Sequence, residues 1–197
     1  MMRILVFDNY DSFTYNLVHL VKKISDASVD VYRNDQIALE EMKHYDKILL
    51  SPGPGIPKEA GLLLSLIEAY GASKSILGVC LGHQAIGEVY GGELINLETV
   101  YHGVATPVHL VNDSEMESAK WKELYKDLPA EFPVGRYHSW VIKKESFPDE
   151  LVITAEDDNG YVMGLAHRKY DVQGVQFHPE SVLTPGGEII LRNWLNR

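Results

Sequence analysis

The sequence has a single cysteine in its 197 residues, no long apolar run and no cluster of basic side chains. One cysteine excludes a disulfide within the chain and fits a reducing compartment. The apolar runs fall short of the roughly 20 residues that a membrane-spanning helix needs. The apolar stretch within residues 1–8 is also too short for a signal peptide. We therefore expect a cytoplasmic protein without a membrane partner.

The chain is acidic, with a formal net charge of -10. Nucleic-acid binding depends on clustered lysine and arginine, because these side chains neutralise phosphates. The lysine pairs at residues 22–23 and 143–144 are isolated from one another. We therefore expect no nucleic-acid partner. The length suits one domain that spans residues 1–197 and buries a sizeable core.

The cysteine lies inside the motif G-V-C-L-G-H-Q at residues 78–84. The preceding apolar residues predict a strand and the following spacing predicts a helix, so we expect Cys80 on a sharp strand-to-helix turn. Flanking glycines relieve the crowding of such a turn, and the positive end of the helix favours a thiolate. By itself the motif also fits a small buried hydrophobic residue.

A second motif, H-P-E-S at residues 178–181, directly follows a strand predicted at residues 172–177. In extended chain, residues i and i+2 face the same side, so His178 and Glu180 can act together. A cysteine nucleophile needs an imidazole to accept its proton and a carboxylate to orient that imidazole. A surface pair at a strand end would explain this motif alone. Together with the cysteine motif it favours catalysis.

A third motif, S-P-G-P-G-I-P at residues 51–57, follows a predicted strand. Proline makes this loop rigid, and glycine lets a ligand approach its backbone. The backbone amides of Gly53 and Leu81 are therefore candidate donors to a developing oxyanion. A plain rigid turn is the alternative interpretation of this loop.

Short apolar runs alternate with amphipathic stretches in the first half of the chain. Strands are predicted at residues 4–7, 29–32, 48–50 and 76–79, and helices at 14–23 and 61–69. This alternation predicts an α/β fold: an open, mostly parallel twisted sheet with helices on both faces and a nucleophile elbow. Extra antiparallel strands are predicted at residues 106–111, 137–142, 151–155 and 161–166, with a final helix at 188–195.

These motifs, in this order, resemble those of the class I (triad) glutamine amidotransferases. Within that family the chain is similar to the small subunits of anthranilate synthase and aminodeoxychorismate synthase, and the resemblance runs essentially end to end. The motifs that carry it are D-N-Y-D-S-F-T-Y-N-L at 8–17, S-P-G-P-G at 51–55, G-V-C-L-G-H-Q at 78–84, R-Y-H-S at 136–139 and F-H-P-E-S at 177–181. The resemblance implies a single glutamine amidotransferase domain.

The resemblance also implies a glutaminase reaction. Cys80 would attack the side-chain amide of L-glutamine, His178 would act as base and then acid, and Glu180 would orient it. Gly53 and Leu81 would form the oxyanion hole. The glutamine-binding residues would be Gly53, Pro54, Gly55, Gln84, Ser139 and Trp140. The family implies no metal and no cofactor in this chain.

The expected partner is a chorismate-binding synthase large subunit in a hetero-oligomer, and Mg²⁺ is expected only in that subunit. Residues 9–13 are a candidate docking segment, or simply a loop that Ser12 caps. The sequence does not distinguish the tryptophan branch from the folate branch. Two positions depart from the family pattern: Val104 replaces a common lysine, and Trp140 replaces a common leucine.

Two other interpretations stay open. The first is a cysteine hydrolase of γ-glutamyl or peptide amides that uses the same triad; the match at Gln84 and Ser139 weighs against it. The second is a metal site or noncatalytic binding module built on His83, His138 and His178. These histidines lack the clustered spacing of metal ligands.

Overall fold

The fold combines eleven strands and four α-helices in the residues that the structure describes. These residues are 1–111 and 120–197 of a computed structural model. The strands are β1 (Arg3–Asp8), β2 (Ser28–Arg33), β3 (Lys47–Leu50), β4 (Ser75–Val79), β5 (Leu94–Asn96), β6 (Val104–Leu110), β7 (Glu131–Arg136), β8 (Trp140–Ile142), β9 (Leu151–Glu156), β10 (Val162–His167) and β11 (Val172–Val175). The helices are α1 (Thr14–Ile24), α2 (Leu63–Tyr70), α3 (Leu81–Val89) and α4 (Gly187–Leu195), and short 3₁₀ helices include Leu39–His44 and Pro57–Glu59.

The main sheet has the strand order β2-β1-β3-β4-β11-β10-β9-β6-β7. The five strands from β2 to β11 pair in parallel, and those from β11 through β10 and β9 to β6 and β7 pair antiparallel. A small antiparallel ribbon joins β5 to β8. The predicted fold class, a mostly parallel sheet with an antiparallel extension, is confirmed.

Both faces of the parallel sheet are covered by helices. Along β1, Ile4 and Val6 pack in one apolar cluster, and Leu5 and Phe7 pack in the other. This alternation follows from the period of two in a strand. Buried residues of α1 and α4 belong to the first cluster, and those of α2 and α3 to the second. No α-helix in the described ranges is both long and apolar enough to span a bilayer.

The sheet order places the cysteine motif beside the histidine motif. Strands β4 and β11 are parallel neighbours, with Gly78 opposite Gly174 and Val79 opposite Val175. The next residue after β4 is Cys80, whose amide donates to the Val175 carbonyl at 2.9 Å. Because parallel strands end at the same edge of a sheet, the segment after β11 lies alongside Cys80.

The structure corrects the strand that the sequence predicts at residues 137–142. Strand β7 ends at Arg136 and β8 begins at Trp140, so residues 137–139 lie outside any strand. Strand β7 is not predicted from the sequence, because its segment contains Pro133 and Gly135. Proline lacks an amide donor and is tolerated on an edge strand, and β7 ends the sheet.

The loop from β1 to α1 is capped by Asp8, and Ser12 is not the cap. Asp8 Oδ1 accepts from the Tyr10 amide at 3.0 Å and the Thr14 hydroxyl at 2.8 Å. The residue at the helix N-cap is Phe13, and its side chain makes no capping hydrogen bond. The acidic residue at the strand end therefore shapes this loop, which packs Phe13 against the site described next.

Candidate active site

Cys80 lies on the predicted turn, and its backbone is strained. Its φ of 53° and ψ of -100° place it outside the regions that non-glycine residues prefer. Strand β4 ends immediately before it and α3 begins immediately after it, so the thiol stands near the positive end of a helix. The side chain is nearly buried, at 5% exposure. The nucleophile elbow predicted from the motif is therefore present.

The glycines around Cys80 are sterically required. A Cβ atom on Gly78 would lie 2.5 Å from the carbonyl of Gly82, and one on Gly82 would lie 2.7 Å from the Leu50 Cβ and 2.8 Å from its carbonyl oxygen. These are contacts to backbone or to rigid atoms, which cannot move aside. The elbow is thus packed against the end of β3 as well as within itself.

His178 and Glu180 form a buried pair. His178 Nδ1 lies 2.7 Å from Glu180 Oε1, and both side chains are at most 2% exposed. Burial lowers the pKa of His178, but hydrogen bonds and charges from Cys80 and Glu180 outweigh it and raise the pKa to about 10. Nε2 has no well-aligned hydrogen-bond partner among the described residues, so it is free to exchange a proton with the adjacent thiol.

The imidazole of His178 is held by packing as well as by Glu180. The ring of Tyr137 lies 4.8 Å from it and the ring of Phe13 5.7 Å, both edge-on. The backbone of His178 is also tied down: its amide donates to the Gly135 carbonyl at 3.0 Å, and its carbonyl accepts from the Thr184 hydroxyl at 2.7 Å. The ring therefore has little freedom to turn away from Cys80.

The structure brings Gly53 and Leu81 together. A Cβ atom at Gly53 would lie 2.7 Å from Leu81 Cδ2 and 2.6 Å from the Asn9 Cβ. Asn9 also supports the loop, because its Nδ2 donates to the Ser51 carbonyl at 2.8 Å. The close approach is what a pair of oxyanion donors requires, and the role of their amides stays a prediction.

A cavity of about 230 Å³ opens beside Cys80. All six residues predicted to bind glutamine line it: Gly53, Pro54, Gly55, Gln84, Ser139 and Trp140. Tyr137 and His138 complete the lining together with Cys80. The wall made by residues 137–140 comes from the segment that leaves the sheet between β7 and β8.

Gln176 also belongs to this site, although no motif in the sequence predicts it. Its Nε2 lies 3.6 Å from Cys80 Sγ, and its Oε1 accepts from Gln84 Nε2 at 3.2 Å. Gln84 Nε2 also donates to the Trp140 carbonyl at 2.9 Å. The sequence does contain one indication of this role: Gln176 is a polar residue between the apolar Val175 and Phe177.

The three histidines weighed as metal ligands have different surroundings. No group of three or more potential ligands that could hold a metal ion occurs in the described ranges. His178 pairs with Glu180, and His138 lies between Arg136 and the Trp140 carbonyl. His83 is completely buried in α3 against Gly174, and burial lowers its pKa to about 3.

Val104, at the family's usual lysine position, begins β6 opposite Arg136 of β7 and is 44% exposed. Its side chain is therefore partly on the surface, and it is not among the residues that line the cavity. Trp140 lines the cavity and contributes its backbone carbonyl to the hydrogen bonds described above. Neither departure alters the contacts among Cys80, His178 and Glu180.

The site is suited to thiol-dependent acyl transfer. It combines a cysteine elbow, an imidazole–carboxylate pair and adjacent backbone amides on a helix-covered α/β sheet. Residues 5–197 match the family Glutamine amidotransferase class-I. The chain belongs to the class I glutamine amidotransferases.

Relatives and a solved structure agree with this family. Anthranilate synthase component 2 of Thermus thermophilus is 45% identical over 98% of this chain and 92% of its own length. The Pseudomonas aeruginosa protein of the same name is 41% identical over 98% of this chain and 95% of its own. The crystal structure of a Thermotoga maritima glutamine amidotransferase shares the fold, with a TM-score of 0.77, 16% identity, and coverage of 100% of this chain and 97% of that chain.

Proposed function

We propose that this chain is a glutaminase subunit that hydrolyses L-glutamine to glutamate and ammonia and delivers the ammonia to a chorismate-binding synthase subunit. The observation that carries the proposal is the contact of Cys80, which lines a cavity of about 230 Å³, with the buried His178–Glu180 pair. Family membership and the names of the relatives support the choice of substrate.

The first half of the reaction forms a thioester. The raised pKa of His178 keeps the proton shared with Cys80 on Nε2, and the sulfur attacks the side-chain carbonyl carbon of glutamine. The amides of Gly53 and Leu81 stabilise the oxyanion that develops. His178 then protonates the leaving nitrogen, the C–N bond breaks, and ammonia departs from a glutamyl thioester.

The second half returns the enzyme to its starting state. His178 takes a proton from water, the hydroxide attacks the thioester carbon, and the C–S bond breaks to give glutamate. His178 keeps the proton taken from water, and the released sulfur beside it restores the reacting pair. Throughout, Glu180 accepts from Nδ1 and stabilises the imidazolium, which keeps Nε2 aimed at the reacting atoms.

The remaining cavity residues bind the α-amino and α-carboxylate groups of glutamine. Gln84 and Ser139 offer amide and hydroxyl groups for a zwitterionic substrate, and the 53–55 loop presents backbone groups. Trp140 replaces a common leucine, and its backbone is the part tied into the site. We therefore expect a mild effect of that replacement on glutamine binding.

The partner subunit is proposed to dock over the cavity, because free ammonia becomes ammonium in water and loses its nucleophilicity. Exposed apolar side chains flank the site: Val182 is 94% exposed just after the histidine motif, and Tyr10 is 46% exposed in the 9–13 loop. Phe13 of the same loop contacts His178, which links the docking segment to the reaction centre. The partner would be the large subunit of anthranilate synthase. The folate-branch alternative is the large subunit of aminodeoxychorismate synthase. In either case Mg²⁺ would be held by the large subunit and not by this chain.

The test is glutamate release from L-glutamine by the wild-type chain and by Cys80→Ala, each with and without an anthranilate synthase large subunit. We expect release that rises with the partner and disappears in Cys80→Ala. Turnover that the partner leaves unchanged would refute the coupling. No release in any pairing would refute the glutaminase function and favour a γ-glutamyl or peptide amide as substrate.

A further inference from the structure

The glutamine-side wall of the cavity rests on a buried ion pair. Arg136 is fully buried at the end of β7, and its Nη1 donates to Asp157 Oδ2 at 2.6 Å. The other carboxylate oxygen, Oδ1, accepts the amides of Asn159 and Tyr161 at 3.0 Å and 2.9 Å. Asp157 is therefore anchored to the turn between β9 and β10, and it holds the guanidinium in a fixed orientation.

The same guanidinium contacts His138. Arg136 Nε donates to His138 Nε2 at 3.1 Å, and because arginine has no acceptor, Nε2 must carry a lone pair. The other ring nitrogen, Nδ1, lies 3.0 Å from the Trp140 carbonyl oxygen, which can only accept. The two partners together require a neutral ring with its proton on Nδ1.

The charges around His138 also keep the ring neutral. Burial and the positive charge of Arg136 lower the pKa of His138 to about 3, and the nearby His178 and His83 act in the same direction. The Trp140 carbonyl is the group that opposes this shift. Tyr101 stacks over the ring, with centroids 5.4 Å apart, and covers the guanidinium at 3.5 Å.

The Trp140 carbonyl is the point where this network reaches the cavity. It accepts from His138 Nδ1 and, from the other side, from Gln84 Nε2 at 2.9 Å. If the proton of His138 were on Nε2, a lone pair would face this carbonyl and an N–H would face the Arg136 donor. Both contacts would then be repulsive, and the backbone of Ser139 and Trp140 would lose one of its supports.

We propose that Arg136 and Asp157 are positioning residues for glutamine binding, because they hold His138 in the tautomer that donates to the Trp140 carbonyl. The inference rests on the proposed glutaminase function. The network supports the binding wall and, in the part of the chain that the structure describes, makes no direct hydrogen bond to the Cys80 thiol or Glu180. Its loss should therefore raise KM for glutamine more than it lowers kcat.

The tautomer can be observed directly in the wild-type chain. Long-range ¹H–¹⁵N correlation spectra of ¹⁵N-histidine-labelled protein, assigned by the loss of signals in His138→Asn, should show a neutral ring protonated on Nδ1 near neutral pH. A ring protonated on Nε2, or an imidazolium, would overturn the inference. This measurement does not depend on activity, so it tests the tautomer of His138 separately from the proposed function.

Two substitutions at His138 distinguish the effect of the hydrogen bond to Trp140 from the effect of side-chain volume. In His138→Asn the amide nitrogen is as many bonds from Cα as Nδ1, so it can still donate to the Trp140 carbonyl. In His138→Gln the amide lies one bond further from Cα, where its oxygen can take the place of Nε2 and accept from Arg136, and the Trp140 carbonyl loses this donor. With the synthase subunit present, we expect KM for glutamine to be about fivefold higher in His138→Gln than in His138→Asn, with kcat values that agree within about twofold between the two variants. Equal KM values would contradict the proposal.

A rescue experiment tests Arg136. Arg136→Lys keeps the charge but removes the Nε donor, so KM should rise about tenfold, as one hydrogen bond allows. In the double variant Arg136→Lys/His138→Asn the amide has no tautomer to select, and KM should return to the His138→Asn value. A double variant no better than Arg136→Lys alone would show that Arg136 serves only the fold. Thermal unfolding of each variant checks that it is folded under the assay conditions.

Discussion

The two sides of the cavity are held in place by different forces. Cys80 is positioned by backbone and steric contact: a strained turn, two glycines and the end of β3 packed against them. His178 and the 137–140 wall are positioned by side-chain hydrogen bonds, two of them between residues two positions apart and one, from Arg136 to Asp157, across 21 positions. The nucleophile is thus fixed by shape, and the base and the binding wall are fixed by polar networks.

The difference predicts how each side responds to substitution. A side chain that collides with backbone cannot be accommodated by a small shift, because the interior is close-packed and neither group can move. A hydrogen bond can be weakened, replaced by an isosteric group or changed in charge, so its loss is graded. Substitutions on the cysteine side should therefore be all-or-none, and those on the histidine side should tune KM, kcat or their pH dependence.

The largest effect is expected from Gly82→Ala on the cysteine side. Its methyl group would collide with Leu50, so we expect about 3 kcal/mol of lost stability and no measurable glutaminase activity. Urea unfolding and glutamate release measure both. Gly160→Asn is the matched control, because Gly160 has a φ of 75° and no atom within 4 Å of an added Cβ, and asparagine tolerates that conformation. A folded, active Gly82→Ala protein would contradict the steric argument.

A graded effect is expected from Glu180→Gln, which keeps a hydrogen-bond acceptor for His178 and removes the charge. We expect kcat to fall about 10²-fold, because the imidazolium loses its stabilising carboxylate. The interaction with Glu180 helps to raise the pKa of His178, so removing it lowers that pKa. The imidazolium is then lost at lower pH, and the alkaline limb of the kcat/KM profile should move down by about one pH unit.

The control for that profile is Glu188→Gln, which removes a carboxylate from α4 that pairs with the exposed Lys23 and Arg192. Its pH profile should match wild type. An alkaline limb that stays in place in Glu180→Gln would show that Glu180 does not set the pKa of His178.

The smallest effect is expected from His83→Gln, beneath the elbow. Burial lowers the pKa of His83 from 6.5 to about 3, so the unfolded chain binds its proton first as pH falls. The wild type therefore loses stability below the unfolded pKa, whereas glutamine does not titrate. The stability advantage of wild type over the variant should shrink by about 1.4 kcal/mol between about pH 7.5 and about pH 5.5. Urea unfolding at both pH values measures it, and an unchanged difference would contradict a neutral buried His83.

Much of the fold could be predicted from local patterns. The strand at β1, the helix at α1 and the strand-to-helix turn at Cys80 each follow from spacing and glycine within about ten residues. The predicted strand at 137–142 is confirmed at 140–142 but wrong at 137–139, because the contact of Tyr101 with His138 holds that part in the cavity wall. The predicted cap, Ser12, is wrong: Asp8 caps this loop, because its carboxylate at the strand end accepts from several donors at once.

The sequence by itself determined the class of fold, the elbow at Cys80 and the pairing of His178 with Glu180, because each depends on neighbours a few residues apart. Only the tertiary structure decided which residues surround them. Gln176 reaches Cys80 across 96 positions, and Arg136 joins Asp157 across 21. Such contacts depend on the order of strands in the sheet, and the free energy that selects this order is spread over the whole core rather than contained in any one motif.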